Sequence, residues 1–162
     1  MNATAIVITL SDKVSAGKRE DRSGPILSSA LKNLGIDVAE RLVLPDEKNP
    51  LIATLAERAD SGKIDLIITT GGTGLAPRDI TPEATRAILD CELPGVAEML
   101  RAEGYKKTPF AVLSRGLAGT RKRCVIINLP GSPKAVAEGM EVLEPILLHA
   151  IQMTRGEDLD HG

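Results

Sequence analysis

Asp79 follows three closely spaced glycines, Gly71, Gly72 and Gly74, and sits next to Arg78. Peptide N–H groups unobstructed by side chains can approach a phosphate. A guanidinium can pair with that phosphate, and a carboxylate beside it attracts magnesium. The run Ile64 to Ile68 before the loop is short, β-rich and largely apolar, as a strand covered on both faces should be. Thr81 reads as an N-cap and Pro82 as the first helical residue, so the positive end of a helix points back to the loop. Strand, glycine loop and helix together predict a phosphate-binding junction.

Two familiar phosphate motifs do not fit. A P-loop requires G-x-x-x-x-G-K-[ST], but Gly17-Lys18 continues with Arg19 and has Asp12 where the first glycine should stand. The dinucleotide fingerprint begins at Gly72 and Gly74, yet Pro77 replaces its third glycine and cannot give that glycine's close helix packing.

The elements that must position this loop alternate from end to end. Ala5 to Leu10 reads as a strand, Pro25 to Leu34 as a helix stopped by Gly35, and Ile36 to Leu44 as a strand near an edge that ends at Pro45-Asp46. Asn49-Pro50 caps a second helix that runs to Gly62. Pro82 to Leu89 and Val96 to Ala102 read as short helices separated by Pro94-Gly95, and Ala111 to Leu113 and Cys124 to Asn128 as strands. The last helix starts at Ser132-Pro133 and carries Val136, Met140, Leu143, Leu147 and Ile151 at core spacing. This predicts an α/β three-layer sandwich, a mostly parallel sheet with helices on both faces. Residues 1–156 form one domain in this reading and 157–162 a loose tail. In such a sheet ligands collect beyond the carboxyl ends of the strands, where Ser11-Asp12, Asp46, the segment Gly71 to Asp79 and the segment Leu129 to Ser132 all fall.

Composition narrows the function. Tyr105 and Phe110 are the only aromatic residues in a chain of 162 with a net charge of -2, so neither stacking platforms nor a basic field invites nucleic acid. Cys91, Cys124, His149 and His161 lack metal-ligand spacing. The first residues enter a strand with no basic start or long apolar stretch, so the expectation is a cytoplasmic protein without a membrane partner.

Four motifs in order, Ser11 to Gly17 (SDKVSAG), Leu44 to Glu47 (LPDE), Thr69 to Thr85 (TTGGTGLAPRDITPEAT) and Ile127 to Lys134 (INLPGSPK), resemble the molybdopterin adenylyltransferases. This is the MogA/MoaB group, related to the G domain of gephyrin, and the resemblance runs from about Ile6 to His149. It implies transfer of AMP from ATP, the co-substrate, onto the terminal phosphate of molybdopterin, with Mg2+ as cofactor and pyrophosphate released. Asp46 and Asp79 match the family's acidic positions and are expected as catalytic and metal-binding residues. By residue type alone, each is equally a turn or helix-start residue. Substrate contacts are implied for Ser11, Asp12, Ser15, Gly71, Gly72, Thr73, Gly74, Ser114, Pro130, Gly131 and Ser132. Arg115 belongs to a local basic group with Arg121, Lys122 and Arg123, which by charge alone is a solvated face or a polyphosphate contact, and Arg115 and Arg78 are the better candidates for that contact. Ser132 also satisfies the N-cap rule before Pro133. The resemblance further implies a homo-oligomer, a trimer or in some members a hexamer, and contact with the enzyme that inserts molybdenum. Two other readings share these motifs: a non-catalytic molybdopterin carrier or scaffold, and a hydrolase of nucleotide pyrophosphates. Two carboxylates beside anionic phosphates favour catalysis, since without a metal they would repel the ligand.

Overall fold

The computed structural model describes residues 2–157. Its strands are β1 (Ala3–Leu10), β2 (Ile36–Leu44), β3 (Leu66–Thr70), β4 (Cys91–Glu92), β5 (Ala118–Arg121) and β6 (Cys124–Leu129), joined in the order β2-β1-β3-β6-β5-β4. Strands β2, β1, β3 and β6 run parallel, whereas β5 and β4 are antiparallel additions at one edge. The helices are α1 (Asp12–Ser15), α2 (Ser23–Asn33), α3 (Lys48–Asp60), α4 (Thr81–Arg86), α5 (Pro94–Tyr105) and α6 (Pro133–Arg155).

Alternation along β1 divides its side chains between two cores. Ala3, Ala5 and Val7 pack with Leu27 and Leu31 of α2 and with Val136, Met140, Leu143, Leu147 and Ile151 of α6. Ile6, Ile8 and Leu10 pack on the other face with Leu51 and Leu55 of α3 and Ala84 of α4. A sheet buried on both faces needs continuous aliphatic strands, and Leu66, Ile67 and Ile68 are each fully buried. The three-layer α/β arrangement expected from the sequence is the one observed.

Several local expectations are corrected. Ala111 to Leu113 belongs to a 3-10 turn, Pro109–Leu113, not a strand; Phe110, Val112 and Leu113 are exposed, so no sheet burial holds the segment extended. The expected strand at Cys124 to Asn128 is β6, and β5, its hairpin partner, and the two-residue β4 are the strands not anticipated; the weakly apolar sequence Ala118-Gly119-Thr120-Arg121 gives little strand signal. Pro94-Gly95 opens α5 instead of separating two helices, and Asn49-Pro50 lies inside the first turn of α3, whose N-cap is Glu47. Of the anticipated tail only Glu157 is described, paired with Arg155 at 3.2 Å; the remainder lies outside the described residues, as does His161.

Cys124 is buried, and burial pushes its thiol up to about 12, while Cys91 on β4 is exposed. Among the described residues no helix is long and apolar enough to cross a membrane.

Candidate functional site

The carboxyl ends of the four parallel strands are tied together by polar groups. Ser11 N–H donates to the Leu44 carbonyl at 3.0 Å, joining β1 to β2. Asp12 N–H then donates to Asp46 Oδ2 at 3.1 Å and Asp46 N–H to Asp12 Oδ1 at 3.0 Å, a reciprocal pair that fixes both acids by their backbones. At the end of β3, Thr70 Oγ1 donates to the Pro130 carbonyl at 2.7 Å and Gly71 N–H to the Leu129 carbonyl at 3.1 Å, joining β3 to β6.

The glycine loop passes through the middle of this seam. Gly71 and Gly72 hold φ of 96° and 67°, where an L side chain is strained. Space is also refused: a Cβ on Gly71 would overlap the Leu10 carbonyl oxygen, and one on Gly72 would overlap Thr81 Oγ1 and come within 3.3 Å of Asp46 Oδ1. On Gly74 a Cβ would sit 2.8 Å from Asp79 Oδ2. Asp46 and Asp79 therefore flank the same loop. The Asp79 carboxylate is steadied by Ala76 N–H, which donates to Oδ2 at 2.9 Å.

Thr81 is not the N-cap of α4. Ile80 holds that position, and the Thr81 hydroxyl, fully buried, donates to the Gly71 carbonyl at 2.9 Å while Thr81 N–H donates to the Gly72 carbonyl at 3.1 Å. The residue bolts helix to loop instead of capping the helix. The side-chain cap expected at Ser132 is formed, its Oγ accepting from Ala135 N–H at 3.1 Å, and Ser11, expected as a substrate contact, also caps α1, its Oγ accepting from Val14 N–H at 3.2 Å.

Charge is distributed unevenly around the loop. Burial pushes the Asp46 carboxyl above its ordinary range, the hydrogen bond from Asp12 N–H opposes this, and the neighbouring charges of Asp12 and Asp79 raise it further. Asp12 is held below that range by Arg78, whose Nε and Nη2 donate to its carboxylate at 2.5 and 2.9 Å. Arg78 is thus paired across the loop with Asp12. Arg115 donates to the carbonyls of Gly74 and Asp79, both at 2.8 Å, and pairs with Glu83.

A cleft of about 1150 Å³ opens beside the loop, walled by α5, the 3-10 turn and α6. Of the residues the sequence suggested, Gly72, Thr73, Gly74, Asp79, Ser114, Pro130 and Gly131 line it. Asp12, Asp46 and Arg78 gather on the other flank of the loop, and Ser15 is exposed beyond them at the end of α1. Two contributors were not among the expected site residues, although Asn128 lies within the Ile127 to Lys134 motif. Buried Asn128 donates to Thr69 Oγ1 at 2.9 Å and Thr85 Oγ1 at 3.0 Å and accepts from Leu117 N–H, tying α4 to the sheet at the cleft floor. Arg101 on α5 reaches the Gly116 carbonyl at 3.1 Å, and nothing local in the sequence marks that contact.

The acids fit magnesium. Glycine leaves room beside each carboxylate that a Cβ would fill, and Mg2+ takes one or two carboxylates with waters and substrate phosphates completing its shell. Among the described residues no three His, Cys, Asp or Glu side chains converge to hold a metal unaided.

Residues 6–149 match the family described as a probable molybdopterin binding domain. A Helicobacter pylori protein named molybdopterin adenylyltransferase is 38% identical over 152 residues, covering 93% of this chain and 86% of the relative. The Drosophila melanogaster molybdenum cofactor synthesis protein cinnamon is 41% identical over 157 residues, and the chain spans only 26% of its length. The crystal structure of the molybdopterin biosynthesis enzyme MoaB from Thermus thermophilus superposes with a TM-score of 0.90 at 46% identity, covering 96% of this chain and 98% of that one. Its glycine loop, its acids and these likenesses agree: the chain belongs to the molybdopterin binding domain family, in the group of the MogA and MoaB proteins.

Proposed function

We propose that this protein adenylylates molybdopterin in molybdenum cofactor biosynthesis. An oxygen of the terminal phosphate of molybdopterin attacks the α-phosphorus of ATP, the bond from that phosphorus to the bridging oxygen breaks, and pyrophosphate leaves. The nucleophile is already anionic, so no general base is needed; the barrier lies in bringing negative groups together. The carrying observation is the pair Asp46 and Asp79 on either flank of one glycine loop, with a large cleft alongside.

In this reading the loop's N–H groups and the adjoining turn Pro130-Gly131 receive phosphate and pterin, with Ser114 on the cleft wall. Magnesium held by Asp46 and Asp79 would supply the positive charge that neutralises the polyphosphate. Acids there serve transfer better than carriage, since without a metal they repel the ligand. Exposed apolar residues at the cleft rim, Leu75, Met99, Phe110, Leu113 and Ile146, support a homo-oligomer, for which the family resemblance implies a trimer or hexamer.

The test mixes purified protein with ATP, magnesium chloride and molybdopterin and follows adenylylated product and pyrophosphate together. Stoichiometric formation of both is expected. Tight molybdopterin binding without product would replace the enzyme with a carrier.

A further inference from the structure

Arg115 spends its guanidinium on the glycine loop. Nε donates to the Gly74 carbonyl and Nη2 to the Asp79 carbonyl, each at 2.8 Å, and Nη1 pairs with Glu83 Oε1 in the first turn of α4. Its own N–H donates to the Thr73 carbonyl at 2.9 Å. One residue thereby grips the segment 73–79 at its start and its end. Between those grips Leu75, Ala76, Pro77 and Arg78 are exposed and belong to neither core, and the side chains that restrain them are Asp79, which accepts from Ala76 N–H, and Asp12, which pairs with Arg78.

We infer that Arg115 is a positioning residue: its planar fork fixes both ends of the Gly74 to Asp79 loop and so sets where the Asp79 carboxylate stands for adenylyl transfer. This rests on the proposed function and differs from a direct polyphosphate contact, because all three guanidinium nitrogens already have partners within the protein. A carbonyl bonded to a guanidinium is turned toward it, which keeps two partial negative charges from facing an incoming phosphate. Glu83 completes the clamp by holding the fork in plane, and the same contact keeps the Glu83 carboxyl below its ordinary range. A lysine has the charge but carries its three donors on one nitrogen, so it lacks the coplanar fork whose three separate nitrogens meet the Gly74 and Asp79 carbonyls and Glu83.

The experiment compares wild type, Arg115→Lys and Arg115→Ala in the full chain. Amide hydrogen exchange across 73–80 is expected to accelerate about tenfold or more in both variants, while amides of β1 and β3 keep their protection. The value of kcat should fall by roughly a hundredfold with KM for ATP changed less than about threefold, the pattern of a misplaced group as opposed to a lost substrate contact. Unchanged exchange in the loop overturns the clamp, whether or not the wild type transfers AMP. Faster exchange with kcat preserved overturns the positioning role, and a rise in KM for ATP alone restores the direct phosphate contact. Full rescue by lysine also counts against the fork. A wild type that forms no product while the loop loosens in the variants refutes the transferase reading and leaves the clamp standing.

Discussion

Replacing Gly71 with alanine tests whether the seam between the strand ends is as tight as it is drawn. Its φ of 96° alone costs an alanine about 1–2 kcal/mol. The new Cβ also falls closer than 3.0 Å to the Leu10 carbonyl oxygen, which is backbone at the end of β1 and cannot swing aside as a side chain would. Relief requires Gly71 to withdraw, stretching its N–H bond to Leu129 and the Thr81 hydroxyl bond to its carbonyl. Each is worth about 1 kcal/mol net, and more if a buried partner is left unpaired. The sum is about 3–4 kcal/mol, a large part of the stability of a domain this size. Gly62→Ala is the control: φ is 71° there, but nothing lies within 4 Å of the added Cβ, so only the backbone term of about 1–2 kcal/mol applies. Urea unfolding of both variants, compared at equal m-value, should separate them by about 2 kcal/mol. A Gly71→Ala protein no less stable than Gly62→Ala would refute the steric argument and the close approach of β1 to the loop.

Asp79→Asn retains an oxygen for Ala76 N–H, so the melting temperature should hold while adenylyl transfer falls by roughly a hundredfold or more, measured at saturating magnesium; near wild-type turnover would remove Asp79 from the reaction. Asp60 at the end of α3 is held down to about 2 by hydrogen bonds from Arg121 and Lys122. Its contribution to stability is full above the ordinary value of 3.8 and is lost as pH falls through about 2. Asp60→Asn should therefore flatten the fall of the urea midpoint between pH 4 and 2, and an unaltered slope would show that the pair adds nothing.

Legibility in the sequence followed burial and local geometry. Strands β1, β3 and β6 are aliphatic runs because both their faces are covered, and that pattern is visible without coordinates. The edge position of β2 was visible in its alternating polar residues, and the observed order places it outermost. Strand β5 was not: four residues containing Gly119, with Ala118 the one buried apolar side chain, carry almost no periodic signal. The Ala111 to Leu113 run misled for the opposite reason, being apolar without being core. Around the loop, residue types were readable but partners were not. Thr81 has the composition of a cap, yet its hydroxyl crosses to Gly71; Arg115 has the charge for phosphate, yet bonds carbonyls that follow Thr73 by only a few residues. Such choices depend on which backbone groups the fold leaves unsatisfied, a three-dimensional property that spacing along the chain does not encode.

The contrast between the two thiols makes the protein selectively addressable. At neutral pH the Cys124 sulfur, shut between sheet and helix with its acidity suppressed to about 12, offers almost no thiolate to an electrophile. Cys91 stands in the open on the short outer strand, next to the turn that leads into α5. A maleimide dye or spin label would therefore attach at a single site without mutagenesis, reporting on the cleft wall from outside it.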